Sequence, residues 1–236
     1  MGGLQRVGGK NDGGYIQAIS KIENNATAIS LGVSLYSPWD LDMANMGYKV
    51  LQYDGSIKKA PYNHPNIKFF KKFVGIKDSS DTITLQTIIK QNNIHTNAHN
   101  ILQVDIEDNE WDMLENIDLE VLSTYFTQIL FEFHNCNVEN DELSQRRFKI
   151  LEKINRYFTP IHTHFNCCGM IFYSKGLFLS DTIEVSYMNN KNIESFEYKS
   201  GFANIIGLDS PNLAHYPEIP VIFPLESLGD KSSHKR

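Results

Sequence analysis

Two pairs of residues in this 236-residue chain have the types and spacing needed for proton or metal chemistry. Asp105 and Glu107 form one pair, Glu132 and His134 the other, each separated by a single residue. On extended backbone such residues point the same way. If the two pairs end neighbouring strands, carboxylates and an imidazole converge. Such a group can serve as general base toward an acceptor hydroxyl, with Asp105, Glu132 and His134 as the catalytic candidates. The same three can instead ligate a divalent cation such as Mg or Mn, which would acidify the hydroxyl. The other reading is local: a Glu after a strand caps the next helix, and His134-Asn135 makes turn hydrogen bonds.

Two further segments suit a nucleotide-type cofactor. Gly32-Val33-Ser34 offers backbone N–H groups and close approach after an apolar run, although a plain tight turn explains it equally. Tyr53-Asp54-Gly55 follows about twenty residues later, where an acidic group can accept both hydroxyls of a ribose; Asp-Gly is also a common turn. His162, His164 and Asn166 alternate beside Cys167 and Cys168. That spacing fits none of the common zinc frameworks. It reads as the wall of a polar substrate pocket, with His164 a further catalytic candidate, or as satisfied core histidines. The stretch from Arg6 to Tyr15 is too glycine-rich for a helix, and it lacks the Gly-Lys-Ser/Thr ending of a phosphate loop. It is read as a flexible loop that folds over a ligand, bringing Lys10, Asp12 and Tyr15 to the cofactor; a disordered coil is the rival.

The elements that would position these residues alternate along the chain. Apolar runs predict strands at 28–33, 49–53, 66–74, 101–104, 128–134, 161–165 and 182–188. Between them, helical spacing or helix stop signals appear at 38–46, 84–91, 111–117 and 141–157, the last with Leu143, Phe148, Leu151, Ile154 and Tyr157 on its apolar face. Strand–helix alternation implies right-handed crossovers and a mostly parallel sheet covered on both faces. The count suits seven strands, the last antiparallel. Ligands of such sheets lie beyond the carboxyl ends of the strands, where the polar pairs fall.

Length suits a single α/β domain over 1–236, with a glycine-rich lead-in at 1–27 and a C-terminal coil at 191–236 containing Pro211, Pro217, Pro220 and Pro224. The net charge of −6 argues against a nucleic-acid partner. The basic cluster Lys68, Lys71, Lys72 reads as a protected strand edge. Three cysteines make no disulfide framework, and no apolar run approaches the ~18 residues of a membrane span. A cytoplasmic protein with reduced thiols is expected. Acceptor identity and oligomeric state are not written in these features.

Seven segments in order resemble a known family: Lys10-Asn11-Asp12-Gly13-Gly14-Tyr15, Ser30-Leu31-Gly32-Val33, Tyr53-Asp54, Asp105-Ile106-Glu107 with Glu110-Trp111, Phe131-Glu132-Phe133-His134, His162-Thr163-His164-Phe165-Asn166 and Ile183-Glu184-Val185-Ser186-Tyr187. The family is a group of bacterial class I S-adenosylmethionine-dependent methyltransferases akin to the FkbM-type sugar methyltransferases, with animal relatives. The resemblance implies a three-layer, Rossmann-like α/β fold with strand order 3-2-1-4-5-7-6. It places Gly32 at the cofactor turn, Asp54 at the ribose, and Asp105 where methyl meets acceptor; Ser34 and Gly55, from the strand-tip reading above, complete the candidate cofactor contacts. It implies S-adenosylmethionine as cofactor and a carbohydrate or similar polar acceptor in surface-polysaccharide (capsule) biosynthesis. The chain departs from the pattern in lacking Gly-x-Gly-x-Gly after the first strand, in Asp108-Asn109, and in Cys167, where relatives often have a second Asn. A nicotinamide-dependent oxidoreductase is the alternative, disfavoured by the missing Gly-x-Gly-x-x-Gly. A non-catalytic binding subunit is the third, disfavoured by the polar strand tips.

Overall fold

The computed structural model describes residues 3–19, 22, 25–139 and 141–223; Pro224 and the polar end at 231–236 lie outside them. The chain opens with an antiparallel hairpin, β1 (Leu4–Gly8) and β2 (Gly14–Ala18), where a flexible loop was expected. Then come β3 (Thr27–Leu31), α1 (Pro38–Asn45), β4 (Lys49–Tyr53) and β5 (Ile67–Phe70). A small parallel pair, β6 (Phe73–Val74) and β7 (Thr82–Ile83), leads to α2 (Leu85–Gln91). Next are β8 (Ile101–Val104), α3 (Asn109–Asn116), α4 (Leu119–Tyr125), β9 (Gln128–Phe133) and α5 (Asp141–Asn155). The chain continues with β10 (Phe158–Phe165), the hairpin β11 (Ile171–Ser174) and β12 (Leu177–Ser180), and β13 (Ile183–Asn189). The C-terminal extension is not wholly coil: β14 (Gly201–Phe202) pairs with β15 (Ile222–Phe223).

Seven strands form one sheet in the order β10-β13-β9-β8-β3-β4-β5. Numbered within that sheet, the order is 3-2-1-4-5-7-6, and only β13 runs antiparallel to its neighbours. The fold is thus the Rossmann-like α/β architecture that the alternating pattern and the resemblance imply. Its strands are buried on both faces, which is why they read as near-continuous apolar runs. Ile29, Leu31, Leu102, Val104 and Phe131 pack one face against the helical layer that includes Trp111, Leu122, Ile150 and Ile154. Ala28, Val50, Ile101 and Leu130 pack the other face against Trp39 and Met43 of α1 and against Val7 and Tyr15 of the N-terminal hairpin. On that second side the hairpin stands where an α/β sandwich ordinarily sets a helix.

Several expectations are corrected in detail. The strand expected at 66–74 breaks at Lys71-Lys72 into β5 and β6; β5 is the sheet edge, with Lys68 exposed above the Phe70 ring. The apolar face of α5 is Ile150 and Ile154 with Leu151, whereas Leu143 and Phe148 stand exposed. Pro160, beyond the end of α5, lies inside β10 at a register shift on an edge strand, where a missing N–H is harmless. Among the described residues, no helix is long and apolar enough to cross a membrane.

Candidate active site

A cleft of about 430 Å³ lies at the carboxyl ends of β3, β4, β8 and β9, roofed by the tip of the N-terminal hairpin. Of the residues singled out from sequence, Asp12, Tyr15, Gly32, Ser34, Asp54, Asp105, Glu132 and His134 line it. Lys10, Gly55 and His164 do not. Lys10 is exposed on the hairpin tip, its carbonyl accepting from the Ser210 hydroxyl. Gly55 packs on Phe73, whose ring carbon would sit 2.4 Å from an added Cβ.

The turn after β3 explains its glycine. Gly32 has φ +83°, and a Cβ there would lie 1.6 Å from the Asp105 carbonyl oxygen, so the first and fourth strand tips touch through backbone. Asp54 fastens the same turn: its Oδ2 accepts from Val33 N at 2.8 Å and its Oδ1 from the N and Oγ of Ser56, both at 2.6 Å. The carboxylate therefore borders the cleft while holding the loop that shapes it. Beneath the cleft, Ser30, Gln52 and Gln103 stand in register on three adjacent strands. Ser30 Oγ donates to Gln103 Oε1 (2.9 Å), and Gln103 Nε2 donates to the Tyr15 hydroxyl (3.1 Å).

Asp105 and Glu107 meet His134 by a different route from strand alternation. β8 ends at Val104, and Glu107 (φ +54°) and Asp108 (φ +76°) are both left-handed, which folds Glu107 back over the site. His134 Nε2 lies 3.6 Å from Glu107 Oε2, 3.6 Å from Glu132 Oε1 and 3.8 Å from Asp105 Oδ1. The other side of the ring is held by Glu110, which the sequence reading noted only within a motif. Its Oε1 accepts from His134 N at 2.7 Å and faces Nδ1 at 3.2 Å. Glu110 is fully buried in the first turn of α3, a position that favours a carboxylate. Arg147 of α5 ties the two strand exits together by donating to Asn135 O and to Asp108 Oδ1.

Electrostatics set the protonation of this group. Burial raises Asp105, an effect His134 only partly offsets. Burial, reinforced by Asp105 and Glu184, raises Glu132 well above the ordinary carboxylate range, although Asn166 donates to its Oε1 at 2.9 Å. Burial alone would lower His134, but Glu110 and the surrounding acids outweigh it and the imidazole is raised. The three groups therefore all take up a proton more readily than they would in water, which suits a cluster that accepts one from a hydroxyl. Asp105, Glu107 and His134 also present ligand atoms within 4.8 Å of one another, a second candidate cation group beside Asp105, Glu132 and His134.

His162 and His164 do not line the cleft, although His164 stands in register with Glu184 and, across it, Glu132; they hold the C-terminal extension. His162 Nε2 pairs with Asp209 Oδ1 at 2.9 Å. His164 lies 1% exposed between Glu184 Oε2 (3.2 Å) and Glu218 Oε1 (2.7 Å). Burial works against its charge, yet the two carboxylates push it up to about 10. The extension in turn grips the hairpin tip: Asn11 Nδ2 donates to Pro211 O (2.6 Å), and Asp12 N donates to Asn212 O (3.1 Å). The placement of Asp12 in the cleft thus depends on residues two hundred positions away.

No family model and no curated protein matches the chain. Among solved structures, a chain from the crystal structure of a fibrillarin/Nop5p complex aligns with a TM-score of 0.42 at 12% identity, over 72% of this chain and 76% of that one. A likeness of that degree carries no weight beside the strand order and the cleft.

Proposed function

We propose that the chain is an S-adenosylmethionine-dependent methyltransferase acting on a hydroxyl of a small polar acceptor. The observation that carries this reading is the charge of the cleft. Its lining holds six carboxylates, Asp12, Asp40, Asp54, Asp105, Glu107 and Glu132, and among the described residues neither lysine nor arginine. S-adenosylmethionine brings a sulfonium and an ammonium, and so complements such a surface. A nicotinamide dinucleotide brings a pyrophosphate, which this lining repels. The close turn at Gly32 leaves room for a cofactor against the backbone.

The cofactor would supply an activated methyl group. The chain's own residues would hold it at Gly32, Ser34, Tyr15 and Asp54, and would orient the acceptor hydroxyl toward Asp105, Glu132 and His134. That group would take the acceptor proton, Glu110 fixing the imidazole from behind. Mg or Mn held by Asp105, His134 and a further carboxylate is a second means of acidifying the hydroxyl. The sequence resemblance supports a carbohydrate or sugar-linked acceptor and a role in surface-polysaccharide biosynthesis.

Thermal-shift titration with S-adenosylmethionine, S-adenosylhomocysteine and NAD tests the cofactor. Stabilisation by the first two is expected, and stabilisation by NAD alone would overturn the reading in favour of an oxidoreductase. Asp105→Asn and Glu132→Gln are expected to abolish methyl transfer while S-adenosylhomocysteine still binds. Full transfer after exhaustive chelation would remove the metal and leave the base.

A further inference from the structure

Asp40 is a buried carboxyl group with no cationic partner among the described residues. It sits in the first turn of α1, 1% exposed, and borders the cleft beside Ser37 and Trp39. Its Oδ2 accepts from Gln52 Nε2 at 2.7 Å; the side chains of Ser30 and Ser37 stand near, but the Ser30 hydroxyl donates to Gln103, and Oδ1 has no partner in hydrogen-bond geometry. The nearby Asp42, by contrast, has a structural task, accepting from Gly8 N at 2.9 Å and so tying α1 to the hairpin. A buried carboxylate with an idle oxygen is costly. An Asn would serve Gln52 as well without that cost.

We infer that Asp40 anchors the ammonium at the amino-acid end of the bound cofactor, an inference that rests on the S-adenosylmethionine reading. A sulfonium has no N–H to give, whereas a primary ammonium has three donors. Asp40 lines the cleft and its Oδ1 is closed off from solvent, so an ammonium seated against α1 would take that oxygen as its acceptor, directly or through one water. Asp40 and Asp54 then divide the ligand: Asp54 shapes the turn at β3 and β4, and Asp40 reads the positive end from α1.

Calorimetric titration with S-adenosylhomocysteine and with 5′-methylthioadenosine separates the two roles. Both probes carry the adenosine and the thioether, and only the first carries the amino acid. In Asp40→Asn, affinity for S-adenosylhomocysteine is expected to fall about 10- to 100-fold, the loss of one charge-assisted contact. Affinity for 5′-methylthioadenosine should stay within about twofold. The variant removes a buried charge and keeps a partner for Gln52, so it is expected to fold. Unchanged S-adenosylhomocysteine affinity, or an equal loss for both probes, overturns the inference alone. A wild-type protein that binds neither probe overturns the cofactor reading and the inference with it.

Discussion

Gly32 and Asp40 illustrate two ways in which single residues answer to the site. At Gly32, backbone conformation and contact with the Asp105 carbonyl both exclude a side chain. Gly32→Ala is expected to cost about 3 kcal/mol in urea denaturation and to lose S-adenosylhomocysteine binding, since the two strand tips must part. Asp40 works in the opposite direction. Burial raises it from 3.8 to about 6, so the folded protein binds its proton more tightly than the unfolded chain does. Stability is therefore lost as pH rises through that window, and the loss is complete above it. Asp40→Asn escapes this and should be the more stable protein at pH 7, by up to about 3 kcal/mol, with no advantage at pH 4. Denaturation midpoints across pH 4–7 check the sign. An Asn variant less stable at pH 7 would reveal a structural partner for the carboxylate.

At the scale of elements, the strand exits and helix starts aim the chemistry. α3 begins directly after the left-handed pair Glu107 and Asp108, and its first turn supplies Glu110 to His134. α4 follows at once, capped by Asp118, whose Oδ1 accepts from Glu120 N at 2.9 Å and Val121 N at 3.4 Å. Asp118→Ala is expected to lower stability by about 1 kcal/mol, read as a shift in denaturation midpoint, without altering cofactor affinity. Asp118 followed by Leu119, Leu122 and Tyr125 was a legible start signal; the helix was overlooked because seven residues hold too few turns to establish a period. The N-terminal hairpin was illegible for another reason. Its apolar side chains are few, and its strands become recognisable only against the sheet face they cover.

The whole molecule closes the site by joining its two ends. The extension at 201–223 is latched to β10 through His162 and His164, and it holds the hairpin tip that carries Asp12. Because His164 is raised to about 10 in the folded protein, its contribution to stability is fully present below its unfolded value. That contribution is lost as pH climbs through about 10. Limited proteolysis should therefore cut the extension faster at pH 10 than at pH 7. His164→Gln should cut quickly at both, and an unchanged rate in that variant would show that the latch lies elsewhere.

Local chemistry along the chain sets the alternation of elements, the parallel core strands and the polar character of their tips. Each of these depends on residues close together in the chain: Ile101 to Val104 can only be buried on both faces, and Asp105 must then follow at the exit. The convergence of Asp105 and Glu132 on His134 was legible for the same reason, once the strands were taken as neighbours. Only the tertiary structure decided what lies around them. His164 was turned from a catalytic candidate into a latch by Glu218, 54 positions away. Glu107 was brought to the imidazole by two left-handed residues rather than by strand pleat. Asp40 meets the Gln52 amide of β4 and the serines at 30 and 37, and none of these brings a positive charge. A carboxylate's role is set by what surrounds it, and those surroundings come from segments distant in sequence that fold onto one another.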